Sequence, residues 1–265
     1  MSTATLERAP ESAAPRSVAL RGFSAIFLAG GVAGLLVGGL GSRVAMRVAA
    51  VTAREGAQGL TTEAGATIGR ITLEGTVFLV LLAGIGSALV GTAFYLATLP
   101  WLPRHRRVRA LAFGGLELAV FGTTLLDAGN PDFTILARPL LDVLMLGSLF
   151  VLHGVVLVLL VEPSRHFVSW VARGARWRAR LVEVGTFLAM AATALGVVGL
   201  VARASGLSAV VLIVLLACAI GLALVDPRRA RPITRPAFRV VGAAALVIVA
   251  VSGTLALVDE VAAIV

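Results

Sequence analysis

The 265-residue chain contains no lysine: its 23 basic residues are all arginine. A many-span protein without lysine cannot hold retinal through a Schiff base, so rhodopsin chemistry is excluded. Cysteine is nearly as scarce; Cys218 stands alone, rules out an intrachain disulfide and reads as a small apolar core residue. Charged residues make up 14% of the chain against 58% hydrophobic ones, more apolar surface than a soluble domain of this length buries. HExxH, CxxC and glycine-rich phosphate loops are missing, and the three histidines are too scattered to mark a zinc or haem site, so no metal or cofactor is expected. The stretch "DAGNPD" lacks the calcium-loop pattern and reads as a turn at Asn130-Pro131.

What is present is a succession of apolar runs. A helix crosses a hydrocarbon core of roughly 30 Å in about 20 residues. Seven runs meet that requirement, at residues 22–48, 74–99, 108–126, 137–161, 182–202, 207–225 and 237–258. Pro100, Pro103, Pro163, Pro227, Pro232 and Pro236 all fall outside them, as expected of residues that stop helices. The fold expected is an all-α, polytopic transmembrane bundle. Residues 1–21, rich in Ala, Pro and Ser with Arg8, Arg16 and Arg21, read as a disordered cytoplasmic tail before an uncleaved anchor. Residues 22–162 form a four-span half that holds the polar groups, and residues 182–265 a three-span packing half with no charge inside its spans.

Arginines in short loops are retained in the cytoplasm, and here they alternate. Arg104, Arg106, Arg107 and Arg109 follow the second span, Arg165 to Arg180 the fourth, and Arg228 to Arg239 the sixth. The opposite loops carry Glu55, Glu63, Asp127 and Asp132, and the last run ends near Asp259 and Glu260. The pattern predicts an N-in, C-out protein of a bacterial inner or plasma membrane.

That orientation puts Arg43 and Arg47 of "SRVAMR" at the outer end of the first span, against the charge rule. One explanation is snorkelling to lipid phosphate. The other is a polar network with acids at the same depth, namely Glu74, Asp127, Asp132 and Asp142, which guanidinium groups pair in two-pronged bonds. Deeper lie only Glu117 and His153, placed by helical rise within roughly 5 Å of each other in depth. Their spans are joined by a short loop, so antiparallel contact is expected. Asp142, Leu146, Leu149 and His153 share one helical face and define a track from the outer acids to mid-membrane. The alternative is a buried pair that only fixes helix register.

Gly30, Gly34 and Gly38 form a bare stripe on the first span, suited to close packing against an internal neighbour such as span two or four, with Ser87 and Gly91 as a matching face, or against a second copy in a homo-oligomer. Residues 163–181 read as a cytoplasmic interfacial helix, with Phe167, Trp170 and Trp177 on one face and Arg165, Arg173, Arg176 and Arg180 available to anionic lipid headgroups. Because the arginines flank spans rather than cluster in a soluble domain, the partner expected is membrane lipid and not nucleic acid.

The segments "SRVAMR", "TTEAGATIGRITLEGTVF", "PWLP" and "NPDF" together resemble a group of uncharacterised multispanning membrane proteins from high-GC actinobacteria. The resemblance covers about the first 160 residues and implies a multispanning fold but no substrate or catalytic residue. Three function classes follow from the residues. The first is binding or permeation of a small solute or proton through an outer-facing polar pocket in spans one to four. The second is a non-catalytic scaffold or accessory subunit, and the third an intramembrane enzyme on lipid or isoprenoid substrates. No span is broken by proline, which removes one signature of transporters.

Overall fold

The computed structural model describes residues 15–60, 72–130, 133, 137–174, 176–203 and 234–265. The predicted sixth span at 207–225, with Cys218, lies outside the described residues, as do Glu63 and Asp132. All regular structure among the described residues is helical. Helix α1, Pro15–Ala33, runs through a π-helical segment, Gly34–Gly41, into α2, Ser42–Thr52. Then come α3, Leu73–Thr98; α4, Arg106–Phe121, ending in a 3-10 turn at Gly122–Thr124; α5, Pro139–Ala172; α6, Arg176–Arg203; and α7, Thr234–Ile264. Among the described residues, four stretches are long and apolar enough to cross a membrane: Leu20–Thr52, Leu73–Thr98, Pro139–Ala172 and Pro236–Ile264.

The boundaries follow local chemistry. Pro15 opens α1, where a missing N–H costs nothing, so residues 15–21 of the expected tail are helical. Thr72 caps α3 by accepting the Gly75 N–H at 3.1 Å, and Glu74 complements the helix dipole in the first turn. Helix α4 is shorter than the expected 108–126 span, because the chain tightens at Gly122, and the Thr124 hydroxyl takes the Phe121 carbonyl at 2.6 Å.

The expected interfacial helix at 163–181 is not a separate element. Helix α5 continues through Pro163 to Ala172, and a new helix starts at Arg176. A proline inside a helix leaves the carbonyl four residues earlier without its N–H. That carbonyl belongs to Leu159, and the Arg106 guanidinium donates to it from α4. A tertiary bond thus replaces the one that proline removes. Over 34 residues α5 is about 51 Å long, more than a hydrocarbon core needs, and its last turns carry Glu162, paired with Arg165 at 3.8 Å and His166 at 3.5 Å.

The glycine stripe packs inside the chain. A Cβ on Gly30 would overlap Thr92 Oγ1, one on Gly34 would come 2.6 Å from the Ala88 Cβ, and one on Gly38 would come 2.7 Å from the Ala83 carbonyl oxygen. The first helix and α3 are therefore antiparallel and nearly touch, which occupies the face a second copy would have used. In an α-helix, residues four apart drift by about 40° around the axis. The wider π turns counter that drift and keep Gly34 and Gly38 aimed at α3.

Cross-links fix the remaining directions. Trp101 Nε1 donates to the Arg239 carbonyl at 2.8 Å, and the Ala128 N–H donates to the Glu260 carboxylate at 2.7 Å, so α7 runs parallel to α4. Ser24 and Thr186 share a buried hydroxyl bond of 2.6 Å between α1 and α6. One end of the bundle collects Arg104, Arg106, Arg107, Arg109, Arg173 and Arg239, and the other collects Glu74, Asp127, Asp142 and Glu260. The main core lies toward the arginine end, built from Ile26, Ala29, Phe94, Tyr95, Phe113 and Leu157. Phe113 packs against Phe94 and Tyr95 with ring centroids 5.8 and 5.0 Å apart.

Candidate functional site

Glu117 on α4 and His153 on α5 meet where α3, α4 and α5 come together. Their separation in sequence says nothing about this; the antiparallel packing of α4 and α5 brings it about. His153 Nδ1 lies 2.9 Å from Glu117 Oε2 and 3.1 Å from Oε1, and the residues are 5% and 2% exposed. An ionised Glu117 only accepts, which would put the ring proton on Nδ1; in either protonation state Nε2 is the side of the ring turned away from Glu117. His153 Nε2 is sealed from solvent and has no hydrogen-bond partner.

Three glycines make the room. A Cβ on Gly91 of α3 would overlap His153 Cε1 and lie 2.8 Å from Glu117 Oε1. One on Gly154 would lie 2.9 Å from Glu117 Oε2 and 2.6 Å from the Gly114 Cα, and one on Gly114 would press on the Val151 backbone. Gly91 therefore serves the polar pair and does not face the stripe of the first helix. Next to it Thr92, fully buried, holds a second sealed and unpartnered polar atom, Oγ1. Thr92, Gly114 and Gly154 were not apparent from the sequence; the available signals were a glycine beside His153 and a hydroxyl among the small residues of α3.

Asp142 occupies the first turn of α5, is fully buried, and has no hydrogen-bond partner on either carboxyl oxygen. It lies about 16 Å along the helix from His153. Leu149, half-buried on the same face, has its Cδ2 3.0 Å from where a Cβ on Gly41 would be, at the end of the π segment. On the other side of the pair, one turn toward the arginine end, Phe94, Tyr95, Phe113 and Leu157 are all 3% exposed or less.

The outer network does not form among the described residues. Neither Arg43 nor Arg47 pairs with Glu74, Asp127 or Asp142. Helix α2 turns Ala45 into the bundle, and residues two positions to either side lie about 200° around the wheel. Arg47 is exposed; Arg43 is half-buried, with Nη2 sealed and unpartnered. Glu74 is exposed, and Asp127 is held by its own loop, accepting the Gly129 N–H at 2.8 Å. Asp132 lies outside the described residues. At the arginine end Arg165, Trp170, Arg173, Trp177 and Arg180 are exposed, Arg176 opens α6, and the Arg178 guanidinium sits 5.4 Å over the Trp177 ring.

Among the described residues, no group of three His, Cys, Asp or Glu side chains is placed to hold a metal ion. No known protein family, curated protein or solved structure matches the chain.

Proposed function

We propose that this chain is a multi-pass protein of a bacterial inner or plasma membrane that binds or passes a small solute or proton at Glu117 and His153. The observation that carries this reading is the imidazole held on Nδ1 by a carboxylate, with its Nε2 sealed from solvent and without a protein partner. A carboxylate that fixes one ring nitrogen sets up the other to accept or donate. Buried polar atoms without partners are costly enough to suggest a task beyond packing.

In this reading the arginine end is cytoplasmic, and the acidic end faces out. Helix α1 starts at the arginine end and α7 finishes at the acidic end, in keeping with seven crossings and an N-in, C-out arrangement. Anionic headgroups are the partner proposed for the exposed Phe167, Trp170, Trp177 and surrounding arginines at the turn between α5 and α6.

A scaffold is the competing reading, and the close glycine packing around the pair favours it, since such packing suits a bond that only locks helix register. Access separates the two. In a Cys218→Ser background, Leu149→Cys should react with a small hydrophilic thiol reagent added on the acidic side of proteoliposomes. A Leu149→Cys that stays unreactive from that side, while an exposed control such as Val51→Cys is labelled, leaves the scaffold.

A further inference from the structure

We infer that the first helix carries a two-position device: the π segment Gly34–Gly41 rewinds as α-helix, and rewinding rotates α2 so that Arg47 pairs with Asp142. Winding of the π kind is uncommon beyond a single turn, and here it runs for eight residues. Each π residue advances about 80° around the axis instead of 100°. Over the segment the difference turns α2 by roughly 100–150° from the direction that a continuous α-helix would give it.

The glycines suit both windings. In the observed one Gly34, Gly38 and Gly39 meet α3, where a Cβ on Gly39 would come 3.2 Å from Val80 Cγ1. Gly41 points elsewhere, toward Leu149 of α5. Wound as α, Gly38 and Gly41 fall about 40° and 20° to either side of Gly34, and Gly39 about 140° away. Gly41 then replaces Gly39 against α3, and the close approach of the two helices is kept. Bistable packings of this kind, which exchange one small residue for another, are what lets a single sequence hold two states.

The charges complete the case. In the observed winding Ala45 enters the bundle, Arg47 is exposed, and both oxygens of Asp142 are sealed and unpartnered. Rewinding carries Arg47 to within about 60° of the direction Ala45 now takes, on the side where α2 packs against α3 and α5. The depths agree. Gly41 and Leu149 lie at one level, from which Arg47 is about 9 Å toward the acidic end along α2 and Asp142 about 10.5 Å along α5. The shorter rise of the π segment adds roughly 3 Å on rewinding, within the reach of an arginine side chain. A two-pronged guanidinium bond then satisfies the carboxylate that the π winding leaves bare. The other acids of this end compete weakly: Glu74 is exposed, and Asp127 and Glu260 already accept main-chain N–H groups.

The test uses full-length protein in liposomes, in a Cys218→Ser background with a spin label on Val44→Cys. Val44 is 63% exposed, and rewinding brings it to within about 50° of the direction Ala45 now takes. The spectrum should hold a major lipid-exposed component, open to collisions with oxygen, and a minor shielded one. Gly39→Ala presses on Val80 in the π winding alone and should raise the shielded fraction about fivefold. Adding Asp142→Asn or Arg47→Gln should return that fraction to the parent value. A shielded fraction unchanged by Gly39→Ala, or one that ignores both charge substitutions, overturns the proposal. Should Gly39→Ala not fold, the two charge substitutions are made in the parent, where each should lower the shielded fraction by about threefold or more. A shielded component that is absent from the parent, or unchanged by both, then overturns it.

Discussion

Arg106 of α4 bonds to Leu159 of α5 at the one place where α5 cannot bond itself. Pro163 has no N–H for the Leu159 carbonyl, and the guanidinium supplies the donor. Arg106→Ala should therefore destabilise the protein by about 1–2 kcal/mol in detergent unfolding, the range of a charge-assisted bond at a partly wet site. In a Pro163→Ala background the main-chain bond returns, and the same arginine substitution should have less than half that effect. Equal losses in both backgrounds would mean that the guanidinium does not stand in for the missing N–H.

The glycine at 91 is set by the polar pair. Gly91→Ala would drive a methyl group into His153 Cε1 and against Glu117 Oε1, whereas a Cβ on Gly86 of the same helix meets nothing within 4 Å. Overpacking of this kind destabilises by roughly 1–3 kcal/mol, while an open helix position gains slightly from alanine. Thermal melts of the two variants in one detergent should differ by that margin, with Gly86→Ala at or above the parent. Matching melts would show that α3 can withdraw from the pair.

Arg43 and Arg47 form no ion pair among the described residues, so lysine should serve at both positions. Arg43→Lys and Arg47→Lys should stay within about 0.5 kcal/mol of the parent, as exposed or snorkelling cations do. A two-pronged guanidinium bond would be lost on that substitution. A larger loss at Arg43 alone would point to a partner among residues 61–71, 131–132 or 134–136, outside those described.

Orientation is checked by fusions. A reporter placed after Arg107 should be active on the cytoplasmic side, and one placed after Val265 on the outer side, because α4 starts at the arginine end and α7 finishes at the acidic end. Activity of both on the same side would remove the odd number of crossings.

Much of this was legible in the sequence because long apolar runs simplify the rules. Long apolar runs bounded by proline and arginine placed α3 to within one residue and the starts of α5 and α7 to within three, while α5 and α7 run on past their expected ends. Counting helical rise put Glu117 and His153 at one depth, and they meet. Contacts made by distant partners were not legible: nothing local says that Arg106 will carry α5 through Pro163, and so residues 163–181 looked like a separate helix. Nor does periodicity show the π turns at Gly34–Gly41, which help set which face of α2 enters the bundle and turn Arg43 and Arg47 away from the acids. The small residues around the pair were visible only as composition, since Gly114 and Gly154 matter through the backbones they admit.

The measurement that bears most directly on the account is water contact at His153 Nε2. In membranes, with the histidine side chains carrying nitrogen-15, magnetisation from water protons should reach Nε2 of His153 while Nδ1 keeps the signature of a strong bond to Glu117, and Glu117→Gln should weaken that signature. The account predicts a water-to-Nε2 signal from His153. A bonded Nδ1 with no water signal at Nε2 would contradict it, and would leave Glu117 and His153 as a dry pair that holds α4 and α5 in register.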